Sequence, residues 1–152
     1  MTDPLSKRRL RLWIRLLRVT RLTETQLREF LRVEHGSTLP RFDVMAALHR
    51  ANGDLTMTEL SRMLLVSNGN TTTVVDRLEL DGLVVRRQSA ADRRVVRVAL
   101  TEAGHRHFAQ LAIDHEAQVD SLFSGVSTKD LDALDAVLQR MTAQAARAKG
   151  NH

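Results

Sequence analysis

Ser67-Asn68-Gly69-Asn70-Thr71-Thr72-Thr73 sets a run of small, mostly polar residues directly ahead of an apolar helical repeat, Val74, Val75, Leu78 and Leu80. The chemistry open to such side chains is recognition: Asn pairs bidentately with adenine, and Thr offers a methyl to thymine or a hydroxyl to a base or phosphate. Small polar residues are poor helix formers, so their gathering at a helix start asks for a reason beyond folding. A helix lying in a major groove reads bases with the residues of its first turn or two. The plainer reading is that Ser67 caps the helix and the Asn and Thr side chains face water. A second cluster, Asp92-Arg93-Arg94, lies between two β-branched runs. An arginine at a hairpin tip can enter a minor groove, where negative potential is concentrated. A neighbouring Asp can fix its orientation by a charge-assisted hydrogen bond. Here too an ordinary charged turn is the plainer reading.

Other chemistries have less support. The chain has no cysteine, which excludes disulfide scaffolds, thiolate zinc sites, cysteine nucleophiles and thiol redox sensing. No nucleophile elbow, glycine-rich phosphate loop or paired catalytic motif is present. The expectation is a protein that is not an enzyme and needs no cofactor. His105 and His107 lie two apart and diverge on a helix, while His35, His49 and His115 are distant in sequence. A metal-responsive regulator using His and carboxylate ligands is therefore an alternative that needs convergence in space. Arg8, Arg11, Arg15 and Arg18 are spaced 3, 4 and 3 apart, opposite the apolar Leu10, Trp13, Ile14 and Leu17. That stripe is a solvated face, or a surface for phosphate, an anionic effector or a membrane.

Helix punctuation supplies the elements that must position these groups. Asp3-Pro4 reads as a cap followed by proline at the first helical position, and the first helix should reach about Glu34. A second helix begins near Pro40, with Phe42, Met45, Ala46 and Leu48 as its buried side, and stops before Gly53. Thr56-Met57-Thr58-Glu59 has capping-box form and starts a third helix whose apolar face is Leu60, Met63 and Leu64. A three-residue link, Leu65-Val66-Ser67, then leads into the fourth helix, which should end at Gly82. Two short helices so joined have the proportions of a helix-turn-helix. Leu83 to Arg87 and Val95 to Leu100 follow as strands of a hairpin. Thr101 caps a fifth helix (Phe108, Leu111, His115, Val119, Leu122). Gly125 ends it, and Ser127 caps a sixth with Leu131, Leu134, Leu138 and Met141 at 3-4-3 spacing, leaving a loose tail from Arg147.

The chain of 152 residues carries 23 Lys+Arg against 18 Asp+Glu, a formal charge of +5. Residues 1–34 hold +5 of it, 35–55 are neutral, 56–100 hold +2 and 101–152 hold −2. Arginine excess in the first helix and middle third points toward phosphate partners. Every apolar run near the N-terminus is broken by arginine, and no window approaches the ~20 apolar residues of a membrane span. A cytoplasmic location is the expectation.

A helix-turn-helix followed by a basic hairpin describes a winged helix, and residues 40–104 resemble the multiple-antibiotic-resistance regulator (MarR) family. The likeness rests on Leu60-Ser61, Val74 through Glu79, Gly82-Leu83-Val84, Arg86, Asp92-Arg93-Arg94 and Leu100-Thr101-Glu102-Ala103-Gly104. It extends in helix order over nearly the whole chain. It implies a mainly α fold with a small β-hairpin wing: a winged helix-turn-helix at 38–100, a helical dimerisation region at 4–34 and 101–148, and a tail at 149–152. It implies a homodimeric transcriptional regulator, usually a repressor relieved by a small ligand. The DNA contacts would be Ser67, Asn68, Asn70, Thr71, Thr72, Thr73 and Arg77 on the recognition helix, with Arg93 and Arg94 in the wing and Asp92 orienting Arg94.

Dimerisation also follows from the residues, because the first, fifth and sixth helices carry more apolar stripe than a winged helix of about 65 residues covers. A two-fold dimer calls for an inverted-repeat operator. By the resemblance, the effector pocket lies between the dimer helices and the winged helix, with Trp13, Arg15, Phe42, Met45 and His49 as candidates. Family ligands are often anionic aromatics, and the arginine stripe suits a larger anion such as an aromatic acyl coenzyme A thioester.

Overall fold

The structure, a computed structural model, describes residues 3–149, with Asn68 described in its backbone alone. Local capping signals set most element boundaries. Asp3 accepts the Leu5 amide at 3.0 Å and starts α1 (Pro4–His35). Thr38 caps α2 (Leu39–Ala51) by accepting the Arg41 amide at 3.3 Å. A short strand β1 (Leu55–Thr56) runs into α3 (Met57–Leu64) through the expected capping box, and α4 (Asn68–Leu80) follows. The hairpin strands are β2 (Val84–Gln88) and β3 (Val96–Leu100), and α5 spans Glu102–Leu122. The chain divides into two compact units, one ending at Gln118 and the other beginning at Val119.

In the first unit β1, β3 and β2 form an antiparallel sheet in that order, with Val84 opposite Leu100 and Arg86 opposite Val98. The expected hairpin thus gains a third strand. Inward-facing Val84, Val98 and Leu100 are buried, and Leu60, Val75 and Leu78 are the buried apolar positions of α3 and α4. α2 runs through the middle of this core. Phe42, Val44, Met45, Ala47 and Leu48 are all buried on it, so it is enclosed on more sides than the single face expected from its sequence. On α3 the buried pair is Leu60 and Ser61, whereas Met63 is 43% exposed; the apolar face predicted there is turned by one position.

Phe42 also organises the packing of α5. Its ring lies 5.6 Å from Phe108 and stacks on His115 at 4.1 Å, while His49 meets Phe108 at 4.8 Å. His35, at the end of α1, closes on Asp114 of α5 at 3.1 Å. α1 buries only Leu27 and Leu31, and in its first half Leu10, Trp13 and Ile14 are more than half exposed.

In the second unit Ser127 accepts the Asp130 amide at 3.2 Å and starts α6 (Thr128–Lys149). No residue of α6 is buried, and Leu131, Leu134, Leu138 and Met141 are 45–50% exposed. The tail expected from Arg147 is helical as far as Lys149. Residues 150–152 lie outside the described residues.

Gly104, part of the Leu-Thr-x-x-Gly stretch, sits in the first turn of α5 against the backbone of Leu83. A Cβ there would run into the Leu83 carbonyl, whereas Gly69 has open space around it. Gly104→Ala should therefore cost about 1–3 kcal/mol, as overpacking does, while Gly69→Ala should be neutral or stabilising by up to ~1 kcal/mol. Urea unfolding of the two variants checks both values.

Burial beside Phe42 holds His115 below its ordinary value. The unfolded chain then takes up this proton first, so the stability tied to a neutral His115 is complete above about pH 6.5 and is lost as pH falls below it. Urea midpoints measured from about pH 7.5 down to 5.5 should decline. The decline should be smaller in His115→Gln.

Candidate nucleic-acid interface

Two constraints define how α4 begins. Leu65 takes a left-handed conformation at φ 56°, from which its own amide reaches the Arg62 carbonyl and the Val66 amide reaches Ser61. Ser67 then caps α4, its hydroxyl accepting the Asn70 amide at 3.3 Å. From this start Gly69, Asn70, Thr72, Thr73 and Arg77 are exposed. Thr73 donates its hydroxyl back to the Gly69 carbonyl at 3.2 Å, so its hydroxyl proton is already used within the helix. Asn68 opens the helix in the expected place, and its side chain lies outside the described residues.

Thr71 corrects the sequence reading. It is 1% exposed, donates to the Ser67 carbonyl at 3.1 Å and accepts from the Ser61 hydroxyl at 2.9 Å. Both hydroxyls are buried polar groups that satisfy each other, so Thr71 joins α3 to α4 and offers nothing to a base. Its partner Ser61 lies on the preceding helix, so no local pattern in the sequence marks it.

The wing differs from expectation in one detail. Asp92 does not pair with the Arg94 side chain; its carboxylate accepts the Arg94 backbone amide at 2.9 Å, and its carbonyl accepts the Val95 amide at 3.0 Å. The Asp shapes the turn and leaves the Arg93 and Arg94 guanidinium groups exposed and free of ion pairs.

Three arginines that composition would count toward a basic surface are occupied in holding the unit together. Arg86 of β2 donates its amide to Glu79 at 3.0 Å, one guanidinium nitrogen to Glu79 at 2.9 Å and another to Asp76. Burial opposes the Arg86 charge, and the bonds to Asp76 and Glu79 outweigh it and raise its pKa. Arg97 of β3 donates to Asp54 at 2.8 Å and approaches Glu59 at 3.9 Å, and Arg41 of α2 reaches Asp81 at 2.6 Å. Glu59, Asp76, Glu79 and Asp81 are all neutralised in this way. Arg62, Arg77, Arg87, Arg93 and Arg94 are left exposed without an acidic partner among the described residues. A modest +2 in sequence becomes a strongly basic outer surface.

The five effector candidates do not come together. Met45 is fully buried and Phe42 is 6% exposed, both in the core. Trp13 and Arg15 lie on the exposed half of α1, and His49 is spent on Phe108 and His105. Among the described residues no three His, Asp or Glu come near enough to hold a metal ion. No described helix is long and apolar enough to cross a membrane.

Comparison with known proteins identifies this arrangement. The MarR family model matches residues 35–95, from the end of α1 through the wing. A MarR family transcriptional regulator from Silicibacter pomeroyi has a solved structure 33% identical to the chain, with a TM-score of 0.79, covering 95% of this chain and 99% of its own. The chain belongs to the MarR family. AbsC, a MarR family regulator from Streptomyces coelicolor, superposes with a TM-score of 0.82 at 27% identity over 97% of both chains. The HTH-type transcriptional regulator MhqR of Bacillus subtilis is 28% identical over 137 residues, 90% of this chain and 93% of its own. Like these relatives the chain is a winged-helix transcriptional regulator that binds DNA.

Thr71→Val should separate structure from base reading in this MarR-family protein. It removes the acceptor of the buried Ser61 hydroxyl and should cost about 1–3 kcal/mol in urea unfolding. Affinities for operator and random DNA, compared well below the unfolding midpoint, should keep their ratio.

Proposed function

We propose that this MarR-family protein is a homodimeric repressor that occupies inverted-repeat promoter sites and is released by a small effector. The observation that carries the DNA reading is the set of unpaired arginines, Arg62, Arg77, Arg87, Arg93 and Arg94, around α4 and the wing, where the acids are already committed to other arginines. In this reading residues 38–100 form the DNA-binding domain. Asn70, Thr72 and Thr73 face bases with the Asn68 position, Arg77 and Arg93 contact phosphate, Ser67 caps, and Arg94 enters the minor groove.

Residues 4–34 and 101–148 form the dimerisation region. The exposed Leu10, Trp13 and Ile14 of α1 and the exposed stripe of α6 are apolar surface of the kind that marks an interface. Sedimentation should give twice the monomer mass. An effector that is an anionic aromatic, or an aromatic acyl coenzyme A thioester, finds support in the open, arginine-rich surface at the start of α1, where Arg8, Arg9, Arg11 and Arg15 lie beside Leu5 and Leu12. Calorimetric titration with phenolic acids and their thioesters tests this; no heat from any of them removes it. The same arginines beside exposed Trp13 and Ile14 support a second reading, binding to a membrane surface. Flotation with anionic vesicles and no retardation of palindromic promoter DNA would favour it.

Arg94→Ala should weaken operator binding in gel shifts and leave the unfolding midpoint unchanged, because the side chain is exposed. Asn70→Ala should lose about 1–3 kcal/mol of discrimination between operator and mismatched sites if it pairs bidentately. Equal losses on operator and random DNA would make it a phosphate contact. Affinity should fall steeply between low and physiological salt, as counterion release requires.

A further inference from the structure

A groove of about 350 Å³ opens between α2, the end of α3 and the recognition helix. Its walls are the apolar Pro40, Val44, Leu64, Val66 and Val74, and Asn70, Thr71 and Thr73 form the α4 side. Asp43 is the only charged residue lining it. The Asp43 carboxyl accepts no hydrogen bond and closes no ion pair among the described residues. Asp43 stands exposed at the mouth of the groove; partial desolvation by the side chains around it pushes it above the usual carboxylate range, repulsion from Glu24 adds to this, and Arg50 opposes it without contact. An apolar cleft of this size with one convergent polar group has the form of a small-molecule site. That group is a carboxylate with no protein partner among the described residues, and its sign sets the ligand's charge.

We propose that this groove binds a small aromatic or aliphatic molecule carrying one cationic nitrogen, whose N–H groups bond the Asp43 carboxylate while its apolar body lies against Val44, Leu64 and Val74. The site is separate from the arginine-rich surface at the start of α1 and opposite to it in charge. An anion placed here would meet Asp43, and no cationic side chain lines the groove among the described residues. Asn70 and Thr73 line the groove, so an occupant covers side chains assigned above to base reading and competes with operator; this last step rests on the reading of α4 as the recognition helix.

Benzamidine and benzoate, equal in shape and opposite in charge, are the probes. Titrated into the isotope-labelled full chain without DNA, benzamidine should shift the amides of Asp43, Val66 and Thr73 and bind at least about tenfold more tightly than benzoate, as a charge-assisted pair implies. Asp43→Asn, which keeps the shape and removes a disfavoured charge, should melt no lower than the parent and lose about tenfold in benzamidine affinity. Equal binding of the two probes, tighter benzoate, shifts confined to other residues, or no binding each overturn the proposal. In gel shifts benzamidine should raise the protein concentration needed for half retardation, and Asp43→Asn should remove that effect. Benzamidine bound in the groove with retardation unaffected overturns the competition alone. A chain that binds benzamidine there and never retards DNA refutes the recognition-helix reading and leaves the groove standing.

Discussion

The bond network from Arg86 to Asp76 and Glu79 fixes the relation on which the rest of the first unit depends, that of the wing to the recognition helix. An isolated surface ion pair contributes ~0–1 kcal/mol and would not hold two elements in register. Arg86 differs because its side chain is only 24% exposed, it engages two carboxylates, and its own backbone amide bonds Glu79 as well. Breaking such a set leaves several charged groups partly desolvated at once, which is costly even where forming it gains little. The arrangement therefore specifies geometry more than it adds stability. α4 and β2 respond as one piece, and a shift of either moves the Arg93-Arg94 turn with respect to Asn70.

The same pairing decides where charge remains. Arg41, Arg86 and Arg97 neutralise the acids of α3 and of α4 and its C-cap from α2, β2 and β3, so those acids are spent within the chain. The surplus cations are left at the outer positions of α3, α4 and the hairpin. A fold that neutralised Asp76 and Glu79 with Arg77 or Arg87 instead would have the same composition and its free cations in different places. Net charge alone could not distinguish the two, because it carries no information about which cations are spent inside the fold.

What the sequence made legible was local. Caps at Asp3, Thr56 with Glu59, Ser67 and Ser127 depend on hydrogen bonds reaching two or three residues, and each formed where its residue type and spacing indicated. The hairpin was legible for the same reason, since β-branched runs flank one polar turn. Readings that needed a partner far along the chain fared worse. The Arg41–Asp81 and Arg97–Asp54 bonds join residues about forty apart, and no periodicity anticipates them. α2 looked one-sided because Val44 and Ala47 are compatible with either solvent or core, and only its central place decides the matter. Thr71 was misread for a related reason. A threonine in a polar run looks like surface until the buried Ser61 hydroxyl arrives from the preceding helix.

That misreading bears on how α4 is aimed. The link between α3 and α4 contains a leucine in the left-handed region, which costs a non-glycine residue roughly 1–2 kcal/mol, and its side chain is 85% exposed. Neither the strain nor the exposure is offset by contacts of the leucine itself. The compensation lies on either side of it. The Leu65 and Val66 amides satisfy carbonyls at the end of α3, and the Ser61–Thr71–Ser67 hydrogen bonds close the turn from beneath. Because these bonds are short-range and the Ser61–Thr71 bond is buried, they hold α4 at one angle to α3 whatever meets its outer face. Thr71 thus fixes the direction in which its neighbours Asn70, Thr72 and Thr73 project.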